Sequence, residues 1–269
     1  MLSIVVFACY LASAAWLAAS AYNAENRAAS GRRVAGLTLG TVAFLLHAAL
    51  LWLSVSAKPA LAFTMAETAS LIGWIMGAIA LGFSWRRPRL AGIGAILIVV
   101  VGIVAATTNE GARRFAVERQ SWELTAHIIL STVAYALITI AAAMAVALAL
   151  LDRRLRSRQP LGRLAILPSV EALESGLFQA LGAGFTVLTL ALFSGFVFVE
   201  NIFAQQLSRK TALSCLSWIV FAVLLLGRWR FGWRGRTAMR WTLSGFALLV
   251  LAYFGSKLVL ETILGRHWG

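Results

Sequence analysis

Eight long apolar stretches, separated by short loops of unequal charge, leave this chain little choice of fold. They run roughly over residues 2–22, 34–56, 65–84, 90–107, 124–151, 176–200, 212–227 and 239–263. Most approach or exceed the ~20 residues a helix needs to cross a hydrocarbon core, and the short seventh needs its flanks. Backbone polar groups in lipid must be satisfied within the chain, so the stretches predict helices. The loops after the first, third, fifth and seventh carry Arg27, Arg32 and Arg33; Arg86, Arg87 and Arg89; Arg153, Arg154, Arg156, Arg158 and Arg163; and Arg228, Arg230, Arg234, Arg236 and Arg240. Against these sixteen, the opposite loops hold seven basic residues: Lys58; Arg113, Arg114 and Arg119; Arg209 and Lys210; and Arg266. Basic loops stay cytoplasmic, so the pattern predicts an all-α bundle of eight transmembrane helices with both termini outside, N-out and C-out.

Composition excludes several classes. With 61% hydrophobic and 13% charged residues, no soluble domain fits. The longest loop, about 152–175, is too short to fold a core of its own, so residues 1–269 read as a single integral membrane domain. A net charge of +14 invites a nucleic-acid partner. The arginines, however, are dispersed over short turns, where topology and contact with anionic membrane lipid account for them, so no nucleic acid is expected. Ala19-Ser20-Ala21 has the look of a signal-peptidase site, yet no Lys or Arg precedes residues 2–22. Without that positive segment, and with Trp16 and Tyr22 suited to an interface, the stretch reads as a retained helix. The expected location is a bacterial inner (cytoplasmic) membrane, crossed several times.

Cys9 and Cys215 sit inside apolar segments and form no C-x-x-C pair, which points to inert buried thiols. No phosphate-binding glycine loop, G-x-S-x-G elbow or H-E-x-x-H motif occurs. The chain is therefore not expected to be an enzyme.

Ionisable groups inside a membrane span are costly, which makes them functional candidates. On the predicted topology all three histidines fall in the outer half: His47 past the middle of the second helix, His127 within a turn of the outer start of the fifth, and His267 beyond the eighth. Glu67, Glu200, Lys257 and Glu261 join them there. Histidine in such a place serves as a haem or metal ligand, or as a proton-titrating group. Two histidines from separate helices can clamp a haem iron from both faces. Each also has a plainer reading. His47 would bond a neighbouring helix, His127 would pair with Glu123 four residues earlier, and His267 would lie in a frayed tail. Lys257 and Glu261, four apart, are spaced to neutralise each other. Trp85, Trp229, Trp233 and Trp241 flank cytoplasmic ends and Trp52, Trp122 and Trp268 outer ends, as in an interfacial belt. Trp74 and Trp218 lie deeper, where they would pack on a planar ligand or a neighbouring helix.

Several blocks carry a family resemblance. They are Glu67-Thr-Ala-Ser-Leu-Ile-Gly-Trp74; His127-Ile-Ile-Leu-Ser-Thr-Val-Ala-Tyr135; Leu167-Pro168-Ser169-Val-Glu171-Ala-Leu173; Gly184-Phe185 through Thr189; and Ser194-Gly195. Trp218-Ile-Val-Phe-Ala, Gly232-Trp233-Arg234-Gly235 and Tyr253-Phe254-Gly255 follow in order. Together they resemble the cytochrome c assembly family of haem-handling membrane proteins (the CcsA/ResC type), and more closely its HemX-like and YpjD-like branch, over about three quarters of the chain. The resemblance implies haem as cofactor, with His127 an outer ligand and His267, in Gly265-Arg-His267-Trp-Gly269, a second. His47, Trp74 and Glu67 would line an inner chamber or access route. In synthase-type members the outer loop bears a tryptophan-rich platform ending in Trp-Asp-Pro-Lys-Glu. Here the corresponding stretch, from Phe198 through Glu200 and Asn201 to Arg209-Lys210, has no tryptophan and no Asp-Pro. The resemblance thus implies the scaffold and a haem-related role, with a partner membrane subunit supplying what is missing. The alternative is a haem-free regulatory or scaffolding protein of tetrapyrrole metabolism, docking a partner through its basic cytoplasmic loops. A small-solute transporter is the third reading, though the chain shows no internal repeat and no paired broken helices.

Overall fold

The computed structural model describes residues 2–22, 28–56, 65–108, 122–198 and 205–255, and among them every regular element is helical. The helices are α1 (Leu2–Tyr22), α2 (Ala28–Ser56), α3 (Met65–Arg86), α4 (Ala91–Ala106), α5 (Trp122–Arg156), α6 (Val170–Phe198), α7 (Gln205–Phe231) and α8 (Gly235–Val250). Seven are long and apolar enough to cross a membrane. The seventh apolar stretch does recruit its flanks, with a span of Thr211–Phe231. α8 has 16 residues and passes into a π turn, Leu251–Gly255. The rest of the eighth apolar stretch lies outside the described residues.

The breaks follow local chemistry. α3 ends at Arg86 because Arg87 precedes Pro88 and is held in a non-helical conformation at φ −129°. α6 begins after Pro168, where the Ser169 hydroxyl accepts the Ala172 N–H at 3.3 Å, a capping bond for an otherwise unpaired donor. α7 gives way to α8 through Gly232 and Gly235, whose φ values of 67° and 55° suit glycine.

The chain divides into two compact units. The first comprises residues 1–119 and 150–173; the second comprises 120–149 and 174–269. In the first unit α4 is apolar all round and correspondingly enveloped, with Ile93, Leu97, Ile98, Val101 and Ala105 fully buried. α1 and α2 cross closely because Gly36 and Gly40 face Ser13 and Leu17; a methyl group on Gly40 would meet the Ser13 hydroxyl at 2.7 Å. This is the small-residue packing by which membrane helices approach one another. In the second unit Gly184 takes the Ile138 side chain, and Gly245 takes the Phe221 ring.

Candidate functional site: two histidines in two settings

Four helices of the first unit bring a line of polar side chains into an apolar interior. His47 of α2 is fully buried. Its Nδ1 lies 3.3 Å from the Tyr10 hydroxyl of α1, and its Nε2 lies 2.8 Å from the Ser70 hydroxyl of α3. Thr108, just past α4, donates to Ser70 at 2.8 Å. Tyr10 fits because Gly77 and Gly102 leave room for it: a methyl group on Gly102 would come 3.0 Å from the Tyr10 Cβ. Both ring nitrogens of His47 are thus engaged, each by a hydroxyl. A neutral imidazole presents one donor and one acceptor, and a hydroxyl can answer either, so the ring is satisfied in both tautomers. This is the neighbouring-helix bonding that one of its two expected roles calls for.

Glu67, three residues before Ser70 on α3, is 1% exposed and has its own polar partner. Trp74 donates its indole N–H to the Phe44 carbonyl at 3.2 Å and stacks on the Phe44 ring with centroids 4.7 Å apart. Trp74 is therefore tied to α2. Trp218 behaves likewise in the second, stacking on Phe185 at 5.3 Å and donating to Thr189 at 2.9 Å. Both deep tryptophans thus pack against neighbouring helices.

His127 is set differently. It sits half-buried in the second turn of α5, and its Nδ1 lies 3.0 Å from both the Ala191 carbonyl and the Ser194 hydroxyl of α6. A carbonyl only accepts, so Nδ1 carries the proton. In the neutral ring that leaves the lone pair on Nε2. The Ser131 hydroxyl is the partner of Nε2, at a long 3.5 Å. Gly195 closes the other side: a methyl group there would stand 3.2 Å from the ring's Cε1. Ser194-Gly195, one of the sequence blocks noted above, is thus the cradle of the histidine. One nitrogen is fixed by backbone and the other is held weakly, which is how a metal-ligating histidine is oriented by its surroundings.

His267, Lys257, Glu261 and Glu200 lie outside the described residues. Among the described residues no group of three or more His, Cys, Asp or Glu is placed to hold a bare metal ion. Tyr135 donates to the Leu249 carbonyl at 2.8 Å, where α8 passes into its π turn and backbone carbonyls lose their regular partners.

One residue the sequence reading missed is Glu174, at the start of α6. Its carboxylate, nearly buried, receives Arg228 at 3.0 Å, Arg234 at 2.7 Å and the Gly235 N–H at 3.3 Å. It ties the end of α7 and the start of α8 to α6. The partners are 54 and 60 residues away, so no local spacing announces them. Two tryptophans expected in the belt also belong to this turn. Trp233 packs on Gly227, 5.6 Å from the Trp241 ring. Trp229 is exposed, as a belt residue should be.

An all-helical, multi-spanning membrane protein is the class these observations define. The chain belongs to the cytochrome c assembly protein family, whose model matches residues 36–264. It is 36% identical over 137 residues to the inner membrane protein YpjD of Escherichia coli K12, covering 51% of this chain and 52% of that one. A 28.8 kDa protein of Azospirillum brasilense is 38% identical over 141 residues, 52% of each chain. The cytochrome c biogenesis protein CcsA of Microcystis aeruginosa is 28% identical over 104 residues, 38% of this chain and 32% of the relative. The chain spans about half the length, or less, of the curated relatives it matches. No solved structure matches it.

Proposed function

We propose that this chain is a haem-handling membrane protein of cytochrome c biogenesis, with His127 as its haem ligand on the outer side. The observation that carries the reading is the His127 ring, anchored through Nδ1 to the Ala191 carbonyl with Nε2 held only by a long contact. That donor arrangement fits a haem iron, which takes an axial imidazole. His47 does not fit it, since both its nitrogens are spent. Haem, when bound, supplies the iron-porphyrin cargo; the chain's own residues orient the imidazole and fix its tautomer. His267 is the second ligand in this proposal, and no residue is given a catalytic role. Family membership supports the process, as does the name of the CcsA relatives.

The same proposal takes residues 239–263 as an eighth crossing, with N-out and C-out termini in a bacterial inner membrane. The sixteen-to-seven distribution of basic residues supports that orientation. A cysteine introduced at Pro160 should then resist an impermeant thiol label applied from outside. A second reading, a haem-free regulatory or scaffolding protein docking a partner through its basic cytoplasmic loops, is favoured by the lack of tryptophan between Phe198 and Lys210.

The deciding experiment is an absorbance spectrum of protein purified in mild detergent from haem-supplied cells. The wild type should show a Soret band that His127→Ala loses and His47→Gln keeps. A colourless wild type, or a band indifferent to His127→Ala, would leave the scaffold reading.

A further inference from the structure

The turn between α7 and α8 is held together by Glu174, and Arg230 and Arg240 project from it. Glu174 binds Arg228 and Arg234 and caps the first amide of α8, so both of its oxygens are engaged. Trp233 is wedged on Gly227, and the Gly232 and Trp233 amides bond back to the carbonyls of Arg228 and Gly227 at 3.1 and 3.2 Å. Around this fixed base, Arg230 and Arg240 are exposed and make no bond or ring contact among the described residues. Beside them Trp229 is 82% exposed and Phe231 71% exposed. No Asp or Glu occurs anywhere between Asn201 and Leu260, and Glu174, which reaches this turn from α6, is occupied. Among the described residues Arg230 and Arg240 form no ion pair, which leaves them open to a counter-charge from another molecule.

We propose that this turn is a binding site for the headgroup of an anionic phospholipid. Arg230 and Arg240 would face the phosphate, with Trp229 and Phe231 lying along the upper acyl chains. Two observations choose lipid over a soluble partner. α7 is a membrane span ending at Phe231 and α8 begins at Gly235, so three residues join them and the arginines are kept near headgroup depth. The exposed aromatic rings at the same level suit an interface that is apolar on one side and wet on the other. The other large basic loop differs: Asp152 neutralises Arg156 at 2.9 Å within it, and no aromatic residue lies between Asp152 and Ser169. The site needs only that α7 spans a membrane and does not depend on the haem reading or on orientation.

The test is native mass spectrometry of the full chain released from mixed micelles with phosphatidylglycerol or phosphatidylcholine. Arg230→Gln/Arg240→Gln is compared with Arg154→Gln/Arg163→Gln in the other loop. The wild type should retain phosphatidylglycerol and shed phosphatidylcholine. At roughly fivefold per arginine near a membrane surface, the first double variant should bind phosphatidylglycerol ~30-fold more weakly. The control pair should change it by less than about fivefold on the same scale. Arg230→Lys/Arg240→Lys, which keeps the charge, should retain most of the binding and shows that loss is not misfolding. Equal retention of the two lipids overturns the proposal, as does an undiminished affinity in Arg230→Gln/Arg240→Gln or an equal loss in the control pair. A soluble protein that co-purifies through these arginines, with phosphatidylglycerol retention unchanged, overturns it in favour of a protein partner.

Discussion

His47 and His127 are each placed in an apolar span, yet their settings give them opposite capacities. His47 is enclosed by two hydroxyls, Tyr10 and Ser70, and has no nitrogen left to offer. His127 is held on one nitrogen by a backbone carbonyl, and a carbonyl dictates the tautomer. The two rings differ in their partners: two hydroxyls for His47, a backbone carbonyl and a long hydroxyl contact for His127. Hydroxyls on both sides make a ring structural; a carbonyl on one side leaves the other nitrogen available.

The contrast breaks first on stability. His47→Ala should orphan the Tyr10 hydroxyl, leave Ser70 with Thr108 alone and open a cavity in the buried interior. At about 1–3 kcal/mol per unsatisfied group, the loss should reach about 3–5 kcal/mol, read from unfolding in detergent or bicelles. His127→Ala should cost under ~1 kcal/mol, because Ser194 already donates to the Ala191 carbonyl at 2.8 Å and neither group is left alone. Equal losses from the two variants would erase the distinction.

Tyr10→Phe is the sharper and smaller cut. It frees the His47 Nδ1 without emptying space and should cost about 1–2 kcal/mol. Haem retention should not change, since the freed nitrogen stays fully buried. A new or doubled Soret band in Tyr10→Phe would mean that saturation alone, and not enclosure, keeps His47 from iron.

Much of this was legible in the sequence, and the illegible part has a common cause. Helix existence, the start of α5 before His127 and the flanks of α7 follow from apolar length and from Pro and Gly punctuation, which act over a few residues. The Ser194-Gly195 block could be noticed as a pattern, but its role as a cradle depends on α6 lying against α5, 64 residues away in sequence at Ala191. Glu174 and its arginines are likewise products of a contact between distant segments. His47 was left between two readings because Leu46 and Ala48 beside it say nothing about Tyr10 or Ser70.

Gly195→Ala tests the cradle directly. The added methyl would sit 3.2 Å from the His127 Cε1, so the ring must yield by a few tenths of an ångström. Haem affinity should fall about tenfold, the lower end for losing an orienting neighbour of a metal ligand. Stability should move by less than ~1 kcal/mol. A variant with full haem retention would show that the ring has slack and that Gly195 serves helix packing alone.

Ser194→Ala should have the smallest effect, and its size separates the two Nδ1 partners. Ser194 lies 3.0 Å from Nδ1 and itself donates to the Ala191 carbonyl. Removing it leaves that carbonyl, also at 3.0 Å, as the acceptor of the Nδ1 proton. Ring orientation and tautomer should therefore persist. Because one of two acceptors survives, haem affinity should drop by only about threefold, below the usual range for a lost orienting group. Titration of haem into the apoprotein would read it. A loss as large as that of His127→Ala would make the hydroxyl, rather than the carbonyl, the group that fixes the ring. Its setting would then be less unlike that of His47 than the backbone contact implies.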